Sequence, residues 1–376
     1  MSKKIILLNT GHYSLDDRVF YHLAKSLSNF GYEILIISTK EDLVCCIDNI
    51  QIKSYSDSKL SHKEKVVKIV ESLNEFMPDI VICDSPISII ASSIFKRKCK
   101  TKIIYDLTEW YPSKKNFRFE QGFKKIRKFI VLVLFNLFAG IKTDGFIFGE
   151  HYKSLPFRFL FFWKPFEFLP YYPDLTYIEN YPIKQIDTQL NLFYSGIINV
   201  DKGIDALINA IDIASKLRPN LQFNLQIIGY FPSPSDQVHF TDICSNLAAN
   251  VIVDVQNKLD FLDFCKVIGK SDLFFDLRII DLENTFCMPI KLFYYLACGR
   301  PVIYSKLRSI KKEIKNFNYG YLCYPNDSQQ IAMHIIDYIE NPEIYIRHAN
   351  NALDISKSKY NWKVIENDFL VFIDKF

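Results

Sequence analysis

The chain has 376 residues and a formal net charge of +4, because 46 lysines and arginines outnumber 42 aspartates and glutamates. This length exceeds what one hydrophobic core usually supports, so we expect about two domains. A hydrophobic content of 49% excludes a chain that is disordered throughout, and the mild charge gives no reason to expect a nucleic-acid partner. The nine cysteines lack a C-x-x-C pair, so we expect neither a disulfide framework nor a zinc site.

Short β-rich runs alternate with helical patterns in the first half, which predicts an α/β fold with a parallel sheet. The predicted strands are 5–8, 33–39, 79–83, 102–107 and 145–148. Apolar residues at helical spacing predict a first helix that stops at Gly31 and further helices at 61–76, 87–95 and 119–141, the last being one long helix or two. Together these elements form one doubly wound half.

A second series of predicted elements follows. Its strands are 190–195, 222–228, 250–253, 272–276 and 301–304. Its helices are 202–216, 234–247, 261–269, 289–298, 327–340, 342–356 and a final amphipathic stretch, 362–376. Between the halves lies the segment 152–181, rich in aromatic residues, where prolines exclude a long helix. We therefore predict an N-terminal domain at 1–175, a C-terminal domain at 176–355 and a C-terminal helix at 356–376.

The motifs that carry most information lie in three places. They are, in chain order, Asp17-Arg18-Val19 at the start of the first helix, Ser195-Gly196-Ile197 with Lys202-Gly203 and Ile227-Ile228-Gly229, and the segment 289–303, PIKLFYYLACGRPVI. The last of these is the most specific. Together they resemble the GT-B glycosyltransferases, most closely the family-four (group 1) type that builds bacterial polysaccharides.

This resemblance implies two Rossmann-like doubly wound domains facing a cleft, with a C-terminal helix that crosses back to the first domain. It implies transfer of a sugar from a nucleoside-diphosphate sugar, bound by the C-terminal domain, to an acceptor bound by the N-terminal domain. The acceptor would be a glycan or a lipid-linked sugar in capsule or lipopolysaccharide synthesis, with retention of anomeric configuration. Such enzymes usually need no bound metal or other cofactor, and we predict none.

The donor site must stabilise the negative charge that develops on a departing nucleoside diphosphate. Glycines let backbone N–H groups approach phosphates, helix N-termini favour anions, and lysines add positive charge. Similar proteins hold the diphosphate with such residues, so the resemblance assigns donor binding to Gly196, Lys202, Gly229, Lys291 and Leu292. The alternative is that both lysines are ordinary solvated residues.

Two positions depart from the family pattern. Many members carry an arginine just after the first glycine of the C-terminal half, where this chain has Ile197, and many carry a ribose-binding glutamate where it has Tyr294. A tyrosine hydroxyl can hydrogen-bond a ribose without adding charge, so Tyr294 joins the predicted donor site with the upstream carboxylate of Glu283. The departures leave open a catalytically impaired nucleotide- or glycan-binding protein. A nucleotide-sugar epimerase on the same fold is a further alternative, but it would need a site rich in carboxylates and histidines, which this sequence lacks.

Candidate catalytic residues lie at the predicted carboxyl ends of strands, where open α/β sheets bind ligands. Related enzymes often have a His-Glu-like pair at the position of Thr108 and Glu109, so Glu109 is the leading candidate, as a base or as a stabiliser of an oxocarbenium-like transition state. His12, after the first strand, is the second candidate, as a general base or as a contact to the acceptor. The acceptor side is assigned to Gly11, Asp17, Arg18, Thr108 and Trp110. A helix cap at Thr108 or Glu109 and a plain surface role for His12 are the alternatives.

Basic residues cluster before the apolar stretch 129–141. They are Lys114, Lys115, Arg118, Lys124, Lys125, Arg127 and Lys128, with Glu120 as the one acidic residue among them. Such a cluster beside apolar and aromatic residues suits adsorption to an anionic membrane, whereas a spanning helix needs about 20 apolar residues. We therefore expect a cytoplasmic protein that is peripheral at the inner face of the plasma membrane. The alternative is that 129–141 is a core helix and the lysines are solvated.

Overall fold

The structure is a computed structural model that describes residues 2–108, 117, 120–288, 290–314 and 317–376. The chain forms two compact units. Unit 1 contains the chain up to Tyr171 together with Ile365–Phe376, and unit 2 contains Tyr172–Val364. The predicted assignment of an acceptor-side domain, a nucleotide-sugar-binding domain and a C-terminal helix stays a prediction.

Unit 1 is built on an eight-stranded sheet. Its strands, β1 to β8, are Lys4–Asn9, Glu33–Ser38, Leu43–Ile47, Ile50–Ser54, Ile80–Cys83, Lys102–Leu107, Gly145–Phe148 and Phe166–Phe168. They lie in the order β3-β4-β2-β1-β5-β6-β7-β8, and all neighbours pair in parallel except β3 and β4, which are antiparallel. The central strands are continuous hydrophobic runs because helices cover both faces of a parallel sheet.

Helices pack around this sheet. A π-helical segment, Asp17–Ala24, leads into the first α-helix. The α-helices α1 to α5 are Lys25–Asn29, His62–Phe76, Pro86–Phe95, Gly122–Lys142 and His151–Leu160. Ser61 and Ser85 each form a capping box that fixes the start of α2 and α3.

Unit 2 is built on a six-stranded sheet in which every pair is parallel. Its strands, β9 to β14, are Gln189–Ile197, Gln222–Tyr230, Val251–Gln256, Leu273–Asp276, Val302–Ser305 and Gly320–Cys323, in the order β11-β10-β9-β12-β13-β14. Successive side chains of β9 enter two different cores. Leu192 and Tyr194 join one, and Phe193 joins the other, as expected for a sheet with helices on both faces.

The remaining α-helices follow in chain order. They are α6 to α14, with bounds Ile204–Leu217, Pro234–Cys244, Phe261–Ile268, Leu282–Thr285, Ile290–Ala297, Arg308–Glu313, Ser328–Glu340, Pro342–Ser358 and Trp362–Asp374. Short 3₁₀ turns occupy Leu175–Tyr177 and Val200–Lys202. α14 begins in unit 2, and from Ile365 onward it belongs to unit 1, where Ser26 Oγ donates to Glu366 Oε1 at 2.5 Å.

The predicted α/β class with two parallel sheets is confirmed. The residues 122–142 form one long helix rather than two. The hairpin β3–β4 was not predicted; its turn places Asp48 and Asn49 at φ 52° and 63°, a left-handed pair that closes two-residue hairpins. No helix in the described part of the chain is long and apolar enough to cross a bilayer.

Candidate functional site

The carboxyl end of β9 brings together two of the predicted donor-site residues. Lys291, the second residue of α10, reaches back so that its Nζ donates to the carbonyl oxygen of Ser195. Gly196 adopts a φ of 130°, and a Cβ at this position would collide with that Nζ. The glycine therefore admits the lysine ammonium, a reason that differs from the predicted approach of a phosphate.

Gly229 supports the same corner of the sheet from the neighbouring strand. It pairs with Gly196 in the β9–β10 register, and a Cβ on Gly229 would collide with the Gly196 carbonyl oxygen. Gly229 thus lets β10 approach β9 closely at Gly196, where the β9 backbone has a positive φ.

A second cation lies at the end of the adjacent strand β12. The Nε of Arg278 donates to Asp276 Oδ1 at 2.8 Å, and both side chains are largely buried. Tyr304 donates its hydroxyl to the same carboxylate at 3.3 Å. Burial opposes ionisation of Asp276, but Arg278, Lys291 and Lys202 together hold its pKa below the usual value.

Lys202 completes a group of three cations around Asp276. Its Nζ donates to Asn284 Oδ1 at 3.4 Å. Burial, aided by the nearby charge of Arg278, lowers the pKa of Lys202. Burial likewise lowers the pKa of Lys291 to about 8, with Asp276 opposing the shift and Arg278 and Lys202 adding to it. We call Lys202, Arg278 and Lys291 the cation cluster.

The cation cluster is suited to an anion with several negative charges. Its members lie at the carboxyl ends of β9 and β12, where parallel sheets bind ligands, and they already repel one another without one. Arg278 was missed by the sequence analysis. The sequence does place Asp276 and Arg278 two residues apart at the end of a predicted strand. This spacing alone did not show that the Arg278 guanidinium folds back onto the Asp276 carboxylate.

Two predicted donor residues are placed in the core of unit 2. Leu292 is fully buried, and the Tyr294 ring makes edge contacts with Phe261 and Phe264. The ring thus contributes to a hydrophobic cluster, and the hydrogen bond of the Tyr294 hydroxyl to a ribose stays a prediction. Glu283 is exposed on the short helix α9.

The predicted residues of unit 1 gather at the carboxyl ends of β1, β5 and β6. Asp84, just after β5, accepts the backbone N–H groups of Thr10 and Gly11 at 2.7 and 2.9 Å, which fixes the loop after β1. His12 follows in this loop, and its Nδ1 lies 3.1 Å from Asp16 Oδ2.

His12 carries a positive charge in this setting. Burial lowers its pKa, but the hydrogen bond and the charge of Asp16, with Asp84 and Asp17 nearby, outweigh burial and raise it to about 9. The same contact overcomes the effect of burial on Asp16 and lowers its pKa to about 2. At neutral pH the ring already holds its proton, so the structure favours a cationic His12 over the predicted general base.

Arg18 is used inside unit 1 rather than as an acceptor contact. Its side chain is 2% exposed, and its Nε and Nη2 both donate to Asp106 at 2.8 Å. Its Nη1 donates to the carbonyl oxygen of Leu169, and its guanidinium stacks on Tyr171 at 4.3 Å. The π-helical segment that Asp17 opens thereby holds the end of β6 in place.

The remaining predictions concern the loop after β6. The carbonyl oxygen of Thr108 accepts Lys153 Nζ at 3.2 Å. Glu109 and Trp110 lie outside the described residues. Within the residues that are described, no group of three or more histidine, cysteine or acidic side chains is arranged to hold a metal ion.

Comparison with known families gives a match in the second half of the chain. Residues 179–354 match the family described as Glycosyl transferases group 1. An uncharacterized glycosyltransferase from Haemophilus influenzae is 20% identical over 371 residues, which are 97% of this chain and 98% of the relative.

Solved structures share the fold over the whole length. The Anabaena protein Alr3699/HepE, solved in complex with UDP and glucose, aligns over 100% of both chains with a TM-score of 0.71 and 14% identity. A sucrose-phosphate synthase from Thermosynechococcus elongatus aligns over 99% of this chain and 98% of its own, with a TM-score of 0.69 and 15% identity. The chain therefore has the GT-B glycosyltransferase fold, and its residues 179–354 match the glycosyl transferases group 1 family.

Proposed function

We propose that the chain transfers a sugar from a nucleoside-diphosphate sugar to a glycan or lipid-linked acceptor in bacterial surface polysaccharide synthesis, such as capsule or lipopolysaccharide, with retention of anomeric configuration. The observation that carries the proposal is the cation cluster at the carboxyl ends of β9 and β12 in the group 1 domain. The Anabaena protein solved with UDP and glucose supports a nucleotide sugar as the donor.

The cation cluster suits the chemistry of a nucleoside-diphosphate sugar donor. When the bond between the sugar and the diphosphate breaks, negative charge grows on the departing oxygen, and fixed cations in a partly buried site stabilise it. Lys291 and Lys202 supply two point charges, and Arg278 supplies the guanidinium that the family pattern places at position 197. Burial lowers the pKa of both lysines, and a bound diphosphate would favour their protonated forms.

Unit 1 is proposed to bind the acceptor. The protonated His12 beside Asp16 can donate a hydrogen bond to a sugar hydroxyl or a phosphate of the acceptor. Glu109 is proposed as the catalytic carboxylate. The exposed basic residues Lys124, Lys125 and Arg127 on α4 support a cytoplasmic protein at the inner face of the plasma membrane.

A donor panel tests the proposal. The purified protein is incubated with UDP-, GDP-, ADP- and dTDP-sugars, and release of the nucleoside diphosphate is measured with and without a lipid-linked acceptor. We expect release from at least one donor, with loss of release in Lys291→Met. Lys266→Met, which removes an exposed lysine of the same unit, is the matched control and is expected to behave as the natural protein.

One observation favours a second candidate, a nucleotide-binding protein without turnover. Tyr294 stands where many group 1 enzymes carry a ribose-binding glutamate, and its ring is in the core. This candidate predicts that a nucleotide binds to the cation cluster while no donor in the panel releases its sugar. An epimerase would instead convert the donor into an epimeric nucleotide sugar, without an acceptor and without net release of the nucleoside diphosphate.

A further inference from the structure

One side of helix α4 is apolar and faces solvent along its length. Its residues are spaced three or four apart, which places them in a single row on the helix surface. They are Phe123, Ile126, Ile130, Leu134, Phe138 and Ile141, and all are exposed. A surface helix normally turns such a row towards the core, so this row is directed to something outside the chain.

The packing of α4 explains why the row faces outward. The opposite side of the helix holds its buried residues, Asn136, Ala139 and Gly140. Tyr105 donates its hydroxyl to Asn136 Oδ1 at 3.1 Å, and a Cβ on Gly140 would collide with the ring of Phe161. Small and polar residues thus form the contact of α4 with the rest of unit 1. The alternative that 129–141 is a core helix is therefore wrong.

A second group of exposed rings extends this surface. Phe159, Phe162 and Trp163, at and after the end of α5, are exposed by 81%, 79% and 62%. The next residue, Lys164, donates from Nζ to the carbonyl oxygens of Gly140 and Ile141 at 2.7 and 2.8 Å. These bonds hold the rings beside the C-terminal end of α4 and satisfy its last carbonyl groups. The row and these three rings together are called the α4–α5 patch.

We infer that the α4–α5 patch inserts into the headgroup and acyl boundary of an anionic lipid bilayer. Exposed apolar surfaces of this extent mark interaction sites, and tryptophan and phenylalanine beside basic residues are typical of helices that lie in a membrane interface. The inference rests on the proposed function, because a lipid-linked acceptor lies in such a membrane. It deepens that function from adsorption by charge to insertion by apolar side chains.

Charge complementarity distinguishes the bilayer from a second copy of the chain. The exposed Lys124 and Arg127 flank the row, and lipid phosphates supply the negative charge that these cations need. A second copy seated on the row would bring its own row against the same two cations, which would lose water without gaining an acidic partner.

Insertion is tested with Trp163 as the reporter. Full-length protein is mixed with vesicles of phosphatidylcholine containing 30% phosphatidylglycerol, with and without bromine atoms on the acyl chains. We expect a blue shift of the fluorescence and quenching by the brominated lipid. Trp163→Phe is expected to bind the vesicles with less quenching than the natural protein, since Trp362, one of the other two tryptophans, is buried.

Two variants separate insertion from adsorption. Phe159→Ser combined with Phe162→Ser is expected to lower the vesicle partition coefficient by about tenfold or more, because each ring removes a large apolar area from water. Val44→Ser, an equally exposed apolar residue on the edge strand β3, is the matched control and is expected to change nothing. Binding that disappears in 0.5 M salt without any quenching overturns the inference, and so does a lipid-free dimer that shields Trp163.

The result of the vesicle experiments does not depend on the donor site. Nucleotide binding is measured on the same preparations without vesicles. Intact nucleotide binding without insertion refutes the inference alone, whereas insertion without nucleotide binding or sugar release refutes the proposed function alone.

Discussion

Replacing Lys291 by methionine removes one member of the cation cluster while keeping an unbranched apolar stem. The ammonium of Lys291 lies over Gly196 at the end of β9, with its hydrogen bond to the Ser195 carbonyl as its contact in the absence of a ligand. A charge-assisted hydrogen bond to a phosphate contributes about 1.5–3 kcal/mol, or roughly 10- to 150-fold in Kd. Because Lys202 and Arg278 remain, we expect the lower part of this range.

Calorimetric titration with UDP, GDP, ADP and dTDP at pH 7 measures this loss for whichever nucleotide binds. Lys266→Met controls for removal of a lysine elsewhere in unit 2. A change of less than about twofold in Lys291→Met, with the fold intact, would refute the assignment of Lys291 to the diphosphate, since a charged contact contributes more than this.

The pH dependence of the same titration gives an independent check. Burial lowers the pKa of free Lys291 to about 8, and the diphosphate binds the protonated form. Affinity is therefore expected to fall about twofold between pH 7 and 8 and by up to about tenfold per pH unit above pH 8. Lys291→Arg keeps its charge over this range and is expected to remove the fall. A natural protein whose affinity is unchanged from pH 7 to 9.5 would contradict the reasoning.

Three further predictions concern backbone shape, the interior of unit 1 and pH. Gly196→Ala is expected to weaken nucleotide binding about as much as Lys291→Met, because the added Cβ displaces the ammonium; titration checks this, and unchanged affinity would contradict it. Arg18→Met is expected to lower the free energy of unfolding by about 3–5 kcal/mol, because Asp106 stays buried without its partner, and Asp106→Leu added to it should recover most of the loss in urea unfolding. His12→Gln is expected to lower the free energy of unfolding by about 2–3 kcal/mol below pH 6.5. This difference disappears as the pH rises through about 9, because the contacts of His12 stabilise the folded state only while the ring is protonated. Equal unfolding differences at pH 6 and pH 9.5 would refute the His12 prediction.

The regular elements were predictable where the sequence repeats one pattern for long enough. The strands 102–107 and 145–148 have the predicted bounds. Each is a short, mainly apolar run bounded by polar residues, a pattern typical of a buried strand in a parallel sheet. The hairpin β3–β4 was missed because Asp48 and Asn49 form its turn without a glycine, and such pairs are weaker turn signals than Asn-Gly.

The donor site was predictable in part, because residue type indicates chemistry but not direction. Lys291 and Gly196 were predicted from the family pattern, and the structure brings them into contact. Tyr294, three residues further on the same helix, lies in the core, since spacing alone does not say which side of a short helix packs inward. Arg278 was missed because its contact with Asp276 depends on a loop conformation that periodicity does not describe.

Helix α4 shows the same limit. Its apolar row is visible in the sequence, but a row at helical spacing usually packs inward. What turns it outward is the contact of Asn136 with Tyr105 and of Gly140 with Phe161, residues that are distant in the sequence.

A crystal structure with the nucleoside diphosphate that binds in the titration would show directly whether the cation cluster holds the diphosphate. We expect diphosphate oxygens within hydrogen-bond distance, about 3 Å, of Lys291 Nζ, with Arg278 and Lys202 on the same phosphates. Lys291 would leave the Ser195 carbonyl to make this contact. A diphosphate bound away from these three side chains, with Lys291 still on Ser195, would contradict the account.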